Sequence, residues 1–331
     1  MRNFSGLIIK GELAPFAKVM VIILTLWALA LIVPDYYRVF ADYGNVGFVA
    51  NNDGLITDVD NPDAATPPFQ KGTYVDLHQT KLSDLIYIFA GMGGTQSAPV
   101  GKTLTILTDD TTGAKTVITR HSVTSVPEDL DTETRIALFA DQTSGVFFIV
   151  LATVLVWKRP SQMTLGFFLY ALWYNPGQVF VFYAWLAKWP DPLIAQDLLQ
   201  GVAQIAGLLG FVTFALRFPS DRVQGWRQTL ERALPIIGLP MLVLQLLSFG
   251  TIIGMHTELI VRCAYLSEYV LDLCVIVTLL ASQRHQHPVE RQRTKWVIWG
   301  CIIGLPCFIL GDINETTSLM ANIWRPSDAQ I

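Results

Sequence analysis

The sequence predicts a polytopic α-helical membrane protein of about seven spans, with a small β-rich domain inserted after the first span. Three observations predict it. Hydrophobic residues make up 52% of the 331-residue chain and charged residues only 15%, departing from soluble averages. The apolar residues are segregated: one block lies at 19–33 and further long blocks run from about 145 to 311, while 35–143 carries Gly, Pro, Asp and Thr as a water-exposed protein does. Several of these blocks approach the roughly 20 residues that span a bilayer. Finally, Lys and Arg collect in alternate connections between the blocks.

A tail at 1–18 precedes the first span, 19–34. Ala28-Leu29-Ala30 has the small-x-small pattern of a signal cleavage site, but the polar head is long and nothing signal-like follows, which favours an uncleaved anchor. The domain occupies 35–143, and a six-span bundle fills 144–315. Its expected spans are Ser144–Trp157 (extending back through Ile136–Ala140), Met163–Ala187, Ile194–Leu216, Ala233–Ile253, Leu259–Ser282 and Trp296–Ile313. Residues 316–331 form an outer tail or begin an eighth, truncated span.

With the tail inside, the inner side collects Arg2, Lys10, Lys18, Lys158, Arg159, Arg217, Arg222, Arg227, Arg232, Arg284, Arg291, Arg293 and Lys295, against Lys188, Arg262 and Arg325 in the outer short connections. The positive-inside rule therefore places the tail on the cytoplasmic side and 35–143 outside. Trp157, Trp185, Trp189 and Trp296 fall near the expected interfaces, where amphipathic rings gather.

Within 35–143, Asn52-Asp53-Gly54 is a turn signal between two short β-type runs. Phe69–Leu77 reads as a further strand, Ser83–Gly91 as an amphipathic helix, and Lys102–Thr108 with Lys115–His121 as a hairpin. Gly54-Leu-Ile-Thr-Asp-Val-Asp-Asn-Pro-Asp-Ala-Ala, Phe69-Gln-Lys-Gly-Thr-Tyr-Val-Asp and Gly101-Lys-Thr-Leu-Thr-Ile-Leu together resemble the core of a bacterial PDZ domain. Pro67-Pro68 and Thr73 depart from that pattern. Gly44-Asn-Val46-Gly47-Phe48 is similar to the family's carboxylate-holding loop, so the resemblance implies peptide binding there; a plain turn is the other reading. The segment's fifteen acids against seven bases argue against nucleic acid as a partner.

Catalytic motifs are missing from the sequence. Cys263, Cys274, Cys301 and Cys307 all lie in apolar segments, with no CxxC or Cys/His cluster for zinc. Neither HExxH, GxSxG, a P-loop nor a dinucleotide fingerprint occurs. His285 and His287 sit in a basic loop that reads as solvated. No enzymatic activity, cofactor or metal is expected. Polar residues inside spans are the remaining candidates, because charge at that depth is costly. Glu268 and Asp272 lie four apart on one helical face, with Arg262 near the outer end of the same span. They form either a ligand pocket or interhelical hydrogen bonds that fix packing. Asp197, Gln204, Asp312, Asn314 and Glu315 read as packing groups, and Tyr174-Asn175-Pro176-Gly177 interrupts its span.

Leu216-Arg-Phe-Pro-Ser-Asp-Arg222 and Pro288-Val-Glu290-Arg291-Gln-Arg293-Thr-Lys295-Trp296-Val-Ile-Trp-Gly300 resemble the multi-span sensor region of bacterial histidine kinases of the competence-pheromone receptor type. The resemblance implies a signal-sensing input module for a peptide or amphipathic, lipid-like ligand, acting as a homodimer on a cytoplasmic kinase. Glu290, Arg291, Arg293, Lys295 and Trp296 would relay the signal. The departure is that no phospho-accepting histidine helix or ATP-binding box occurs up to Ile331, so the alternative is a non-catalytic accessory or scaffold subunit of a larger membrane complex. A transporter lacks the expected repeat symmetry.

Overall fold

The computed structural model describes residues 8–9, 12–40, 44–89, 97–112, 115–127, 132–174, 186, 189–250, 254–255 and 257–284, with 292, 295, 299 and 300. In chain order, strands β1 (Ile8–Ile9) and β2 (Glu12–Leu13) precede helix α1 (Pro15–Ile32), followed by the short α2 (Tyr36–Phe40). The β-rich domain contains β3 (Gly44–Asn45), β4 (Val49–Ala50), β5 (Ile56–Asp58), β6 (Ala65–Thr66), β7 (Tyr74–Val75), helix α3 (Leu82–Phe89), β8 (Ser97–Ala98), β9 (Thr103–Thr112), β10 (Lys115–Thr124) and β11 (Val126–Pro127). The bundle continues with α4 (Thr132–Lys158), α5 (Gln162–Tyr174), α6 (Pro190–Arg217), α7 (Trp226–Ser248) and α8 (Glu258–Arg284).

Among the described residues, five helices are long and apolar enough to cross a membrane: α1, α4, α6, α7 and α8. Their packing supports a membrane setting independently of length. Large apolar side chains face outward, with Phe16 68%, Phe147 69% and Ile236 72% exposed, whereas Gln200, Gln204 and Asp272 are 1%, 1% and 3% exposed. Water would select the opposite distribution. Pro235 and Pro240 interrupt the hydrogen-bond ladder inside α7, as bundled membrane helices tolerate. The expected span Met163–Ala187 is represented by the 13 residues of α5, about 20 Å of helix, while 175–185 lie outside the described residues. Five of the seven expected spans thus match membrane-crossing helices among the described residues, a sixth is represented by α5, and the final one, Trp296–Ile313, lies almost wholly outside the described residues.

Helix α6 is the hub, packed on α5, α7 and α8. It meets α5 backbone to backbone. A Cβ added to Gly210 would stand 2.7 Å from the Gly166 carbonyl oxygen, and one at Gly207 would stand 2.6 Å from Trp173 Cβ. Small residues permit such an approach, and dispersion rather than the hydrophobic effect holds helices together in lipid. Around the contact, Tyr170 stacks on Phe211 at 3.9 Å and Phe167 leans on Phe214. Helix α1 packs on α4, where Thr25 and Thr153 hydroxyls meet at 2.9 Å.

The β-rich domain has a four-stranded antiparallel sheet, β6-β10-β9-β7, a three-stranded one, β11-β3-β8, and the β4-β5 pair. The β9-β10 hairpin runs in unbroken register from Lys115↔Thr112 to Thr124↔Thr103. The Asn52-Asp53-Gly54 turn links β4 and β5: Asn51 Oδ1 accepts from the amides of Asp53 and Leu55, and Gly54 adopts φ +83°. Val46, Phe48, Ile56, Leu85, Ile88, Leu104, Ile106 and Val123 build the core. That core also contains Leu31 from the end of α1 and Leu193 from the start of α6, with Trp27 packed against it. The domain therefore docks on one end of the bundle. The α7–α8 connection lies at the same end, since a Cβ on Gly254 would strike the His78 ring.

Candidate functional site

The buried polar residues of α6 are Gln196, Asp197, Gln200 and Gln204; Gln196, Gln200 and Gln204 are four apart and Asp197 is three before Gln200, which puts them on one helix face. Trp27 Nε1 of α1 donates to Gln196 Oε1 at 3.0 Å, and Gln196 Nε2 reaches Gln200 Oε1 at 3.4 Å. One turn deeper, Gln204 Nε2 donates to Glu268 Oε1 of α8 at 2.5 Å. Asp272 follows Glu268 by one turn and is also buried. From α7, Gln245 is buried beside Gly201, where an added Cβ would approach Gln245 Cγ to 3.3 Å. A polar seam thus descends from α1 through α6 to α8 and reaches the middle of the bundle.

Glu268 and Asp272 are on one buried face, as their spacing predicts, and Gln204, read from sequence as a packing group, joins them. Gln204 Oε1 is buried with no hydrogen-bond partner. That oxygen is suited to a group that donates a hydrogen bond. Arg262 is half-buried on α8, six residues before Glu268, about 9 Å along the helix axis toward the domain end.

The glycine-rich segment in the domain occupies a different environment from an open loop. Gly44 and Asn45 form β3, flanked on both sides, by β11 and by β8. A Cβ on Gly44 would collide with Ser125 Oγ and the Ala98 carbonyl oxygen, which explains the glycine sterically. The Gly47 amide donates to Asn45 Oδ1 at 2.7 Å and its carbonyl accepts from Asn61 N at 3.1 Å. Val46 and Phe48 are 0% and 1% exposed. The backbone groups of Gly44 and Gly47 and these two side chains are already engaged within the domain.

Two further polar arrangements lie away from the seam. In the domain, His121 is buried, its Nε2 2.8 Å from Thr108 Oγ1 and its Nδ1 2.7 Å from the Pro67 carbonyl oxygen, with Phe69 stacked on the ring at 4.4 Å. A carbonyl accepts only, so Nδ1 carries the proton and Nε2 accepts from Thr108. Burial pulls the His121 pKa down, and the Pro67 hydrogen bond partly opposes this. Asp109 is pushed the other way, its pKa raised by burial and then by the neighbouring Asp76 charge.

At the bundle end opposite the domain, Arg217 Nε and Nη2 clasp Glu231 at 2.6 and 3.2 Å, while Nη1 reaches the Asp221 carbonyl oxygen at 3.2 Å. Asp221 Oδ1 in turn accepts from the Met163 amide at 3.1 Å, capping α5. The Arg-Phe-Pro-Ser-Asp motif is therefore a knot joining α5, α6 and α7. Glu231, which sequence reasoning passed over, is its third member. Arg227 Nη2 donates to Ser282 Oγ at 2.8 Å and ties α7 to α8 at this end.

Of the expected relay residues, Lys295 is exposed, and Glu290, Arg291, Arg293 and Trp296 lie outside the described residues. The same is true of Asn175-Pro176-Gly177, Asp312, Asn314 and Glu315. Among the described residues no group of three or more His, Cys, Asp or Glu side chains is arranged to hold a metal ion. No family model, no curated protein and no solved structure matches the chain.

Proposed function

We propose that the chain is the signal-sensing input module of a bacterial membrane receptor. In this reading the β-rich domain and the outer half of the bundle recognise an amphipathic or peptide ligand, and α6 carries the response to the opposite, cytoplasmic end. The observation that carries it is the course of α6. Its first turns share the domain's core through Leu193, its middle bonds Glu268 through Gln204, and its last turn is clasped to Glu231 by Arg217. A ligand moves such a helix only by binding two arrangements with different affinity. The buried polar seam at Gln204, Glu268 and Asp272 supplies a place for that difference, with Arg262 above it. The likeness of the Arg217–Arg222 and Glu290–Trp296 motifs to histidine-kinase sensor regions supports the same reading, as does the concentration of Lys and Arg away from the domain.

Hydrogen exchange on the full chain in nanodiscs, with and without a library of short amphipathic peptides, tests it. Peptides that protect α8 around Glu268 are expected to alter exchange at 217–232 as well, and Glu268→Gln to abolish both changes. Peptide binding that leaves 217–232 untouched would remove the relay and leave an accessory subunit as the better description.

A further inference from the structure

The knot at the end of the bundle away from the domain gathers more positive charge than it uses. Lys158 ends α4, Arg159 follows it, and Arg222 lies in the α6–α7 connection; all three are exposed. They are brought together by hydrogen bonds. Thr164 Oγ1 donates to the Arg159 carbonyl oxygen at 2.8 Å, folding 159–164 into a closed turn. The Met163 amide then donates to Asp221 Oδ1, which fixes that turn against the residue preceding Arg222.

The acids of this corner do not neutralise it, because Asp221 and Glu231 both hold Arg217. The early α5 amides are also spent, Met163 N on Asp221 and Thr164 N on Ser161 Oγ at 3.1 Å. What remains is three unneutralised cations converging on one corner. Trp157 and Trp226 are 42% and 53% exposed beside it, at the end of α4 and the start of α7. Amphipathic rings of this kind settle at the headgroup level of a bilayer, and a cluster of cations there attracts anionic lipid.

We propose that Lys158, Arg159 and Arg222 form a binding site for the phosphate of an anionic phospholipid headgroup, with Trp157 and Trp226 setting its depth in the bilayer. The site is independent of the sensing role and needs only that the helices cross a membrane.

The test uses the full chain reconstituted in bilayers of equal phosphatidylcholine and phosphatidylglycerol, with either lipid spin-labelled to read its relative association with the protein. Wild type is expected to favour phosphatidylglycerol by roughly tenfold at low salt, weakening as salt is raised. The triple variant Lys158→Gln, Arg159→Gln, Arg222→Gln should bring the ratio close to one, while Arg159→Lys with Arg222→Lys should largely keep it. Three results would overturn the site: no preference in wild type, a preference insensitive to salt, or a folded triple variant that retains it. Competition by millimolar inorganic phosphate on wild type would also overturn it, since a site for soluble phosphate would then be at work. The salt and phosphate measurements need no variant and stand even if the triple substitution fails to fold.

Discussion

The β-rich domain and the helical bundle solve the burial problem in opposite ways. In the domain, Phe48, Ile56 and Ile106 are inside while Asp58, Asp60 and Asp63 are outside; in the bundle, Phe147, Ile236 and Val270 are outside while Gln200, Gln204 and Asp272 are inside. The contrast teaches that the solvent, not the residue type, decides which side of an element is the core. Burying an apolar side chain in the domain removes it from water and stabilises by about 25 cal/mol per Å². The same residue turned inward in the bundle gains only packing, because lipid tails are as apolar as leucine. Polar groups follow the converse rule. The domain can expose Asp58 and Lys71 at little cost, whereas the bundle must pair its glutamines and carboxylates internally.

The largest expected effect that sharpens this contrast is at Phe48. Phe48→Ala should cost the domain roughly 3–5 kcal/mol, read as a fall in thermal stability of the full chain in detergent. Next comes a matched pair of substitutions at exposed valines. Val270→Lys, on the outward face in the middle of α8, should cost roughly 2.5–3.5 kcal/mol, seen as a loss of inserted, folded protein. Val117→Lys, 52% exposed on β10 opposite Asp110, should change stability by less than about 0.5 kcal/mol. Equal costs at the two sites would break the comparison.

The smallest effects are those of pH, and they are confined to the domain. His121 has a lowered pKa in the folded state, so its contribution is present above the ordinary histidine value and is lost as pH falls through the depressed one. Asp109 has a raised pKa, so acid relieves it: the folded state takes up the proton first and gains stability as pH falls through that raised value. A domain melting curve followed from neutral pH downward should therefore fall near the histidine range and recover part of the loss below it. His121→Asn should remove the first step and leave the second.

Much of the architecture was legible because it is written in local patterns. Apolar length marked α1, α4, α6, α7 and α8, alternation marked the β9-β10 hairpin, and Asn52-Asp53-Gly54 marked the turn between β4 and β5. The starts of helices were read too late. Helix α7 begins at Trp226, not Ala233, because Arg227, Gln228, Thr229, Glu231 and Arg232 make its first two turns polar, which hydropathy discards. Likewise α4 begins at Thr132, inside the segment assigned to the domain.

The candidate site was only half legible. Glu268 and Asp272 announced themselves as charges in an apolar run, but Gln204, the partner of Glu268, lies 64 residues away, and nothing local couples the two. Gly44 was conspicuous for the same reason that its role was hidden: the Ser125 and Ala98 atoms that exclude a side chain there come from distant parts of the chain. His121 carries no motif at all, and its importance comes only from Pro67 and Thr108 closing around it.

The glycine contact between α5 and α6 has a mechanical consequence. Where Gly166 and Gly210 set peptide groups against each other, no side chain lies between the two rods to act as a bearing. Twisting either one about its own axis would swing Leu169 or Phe214 into the opposing backbone, so torque applied to one is handed to the other.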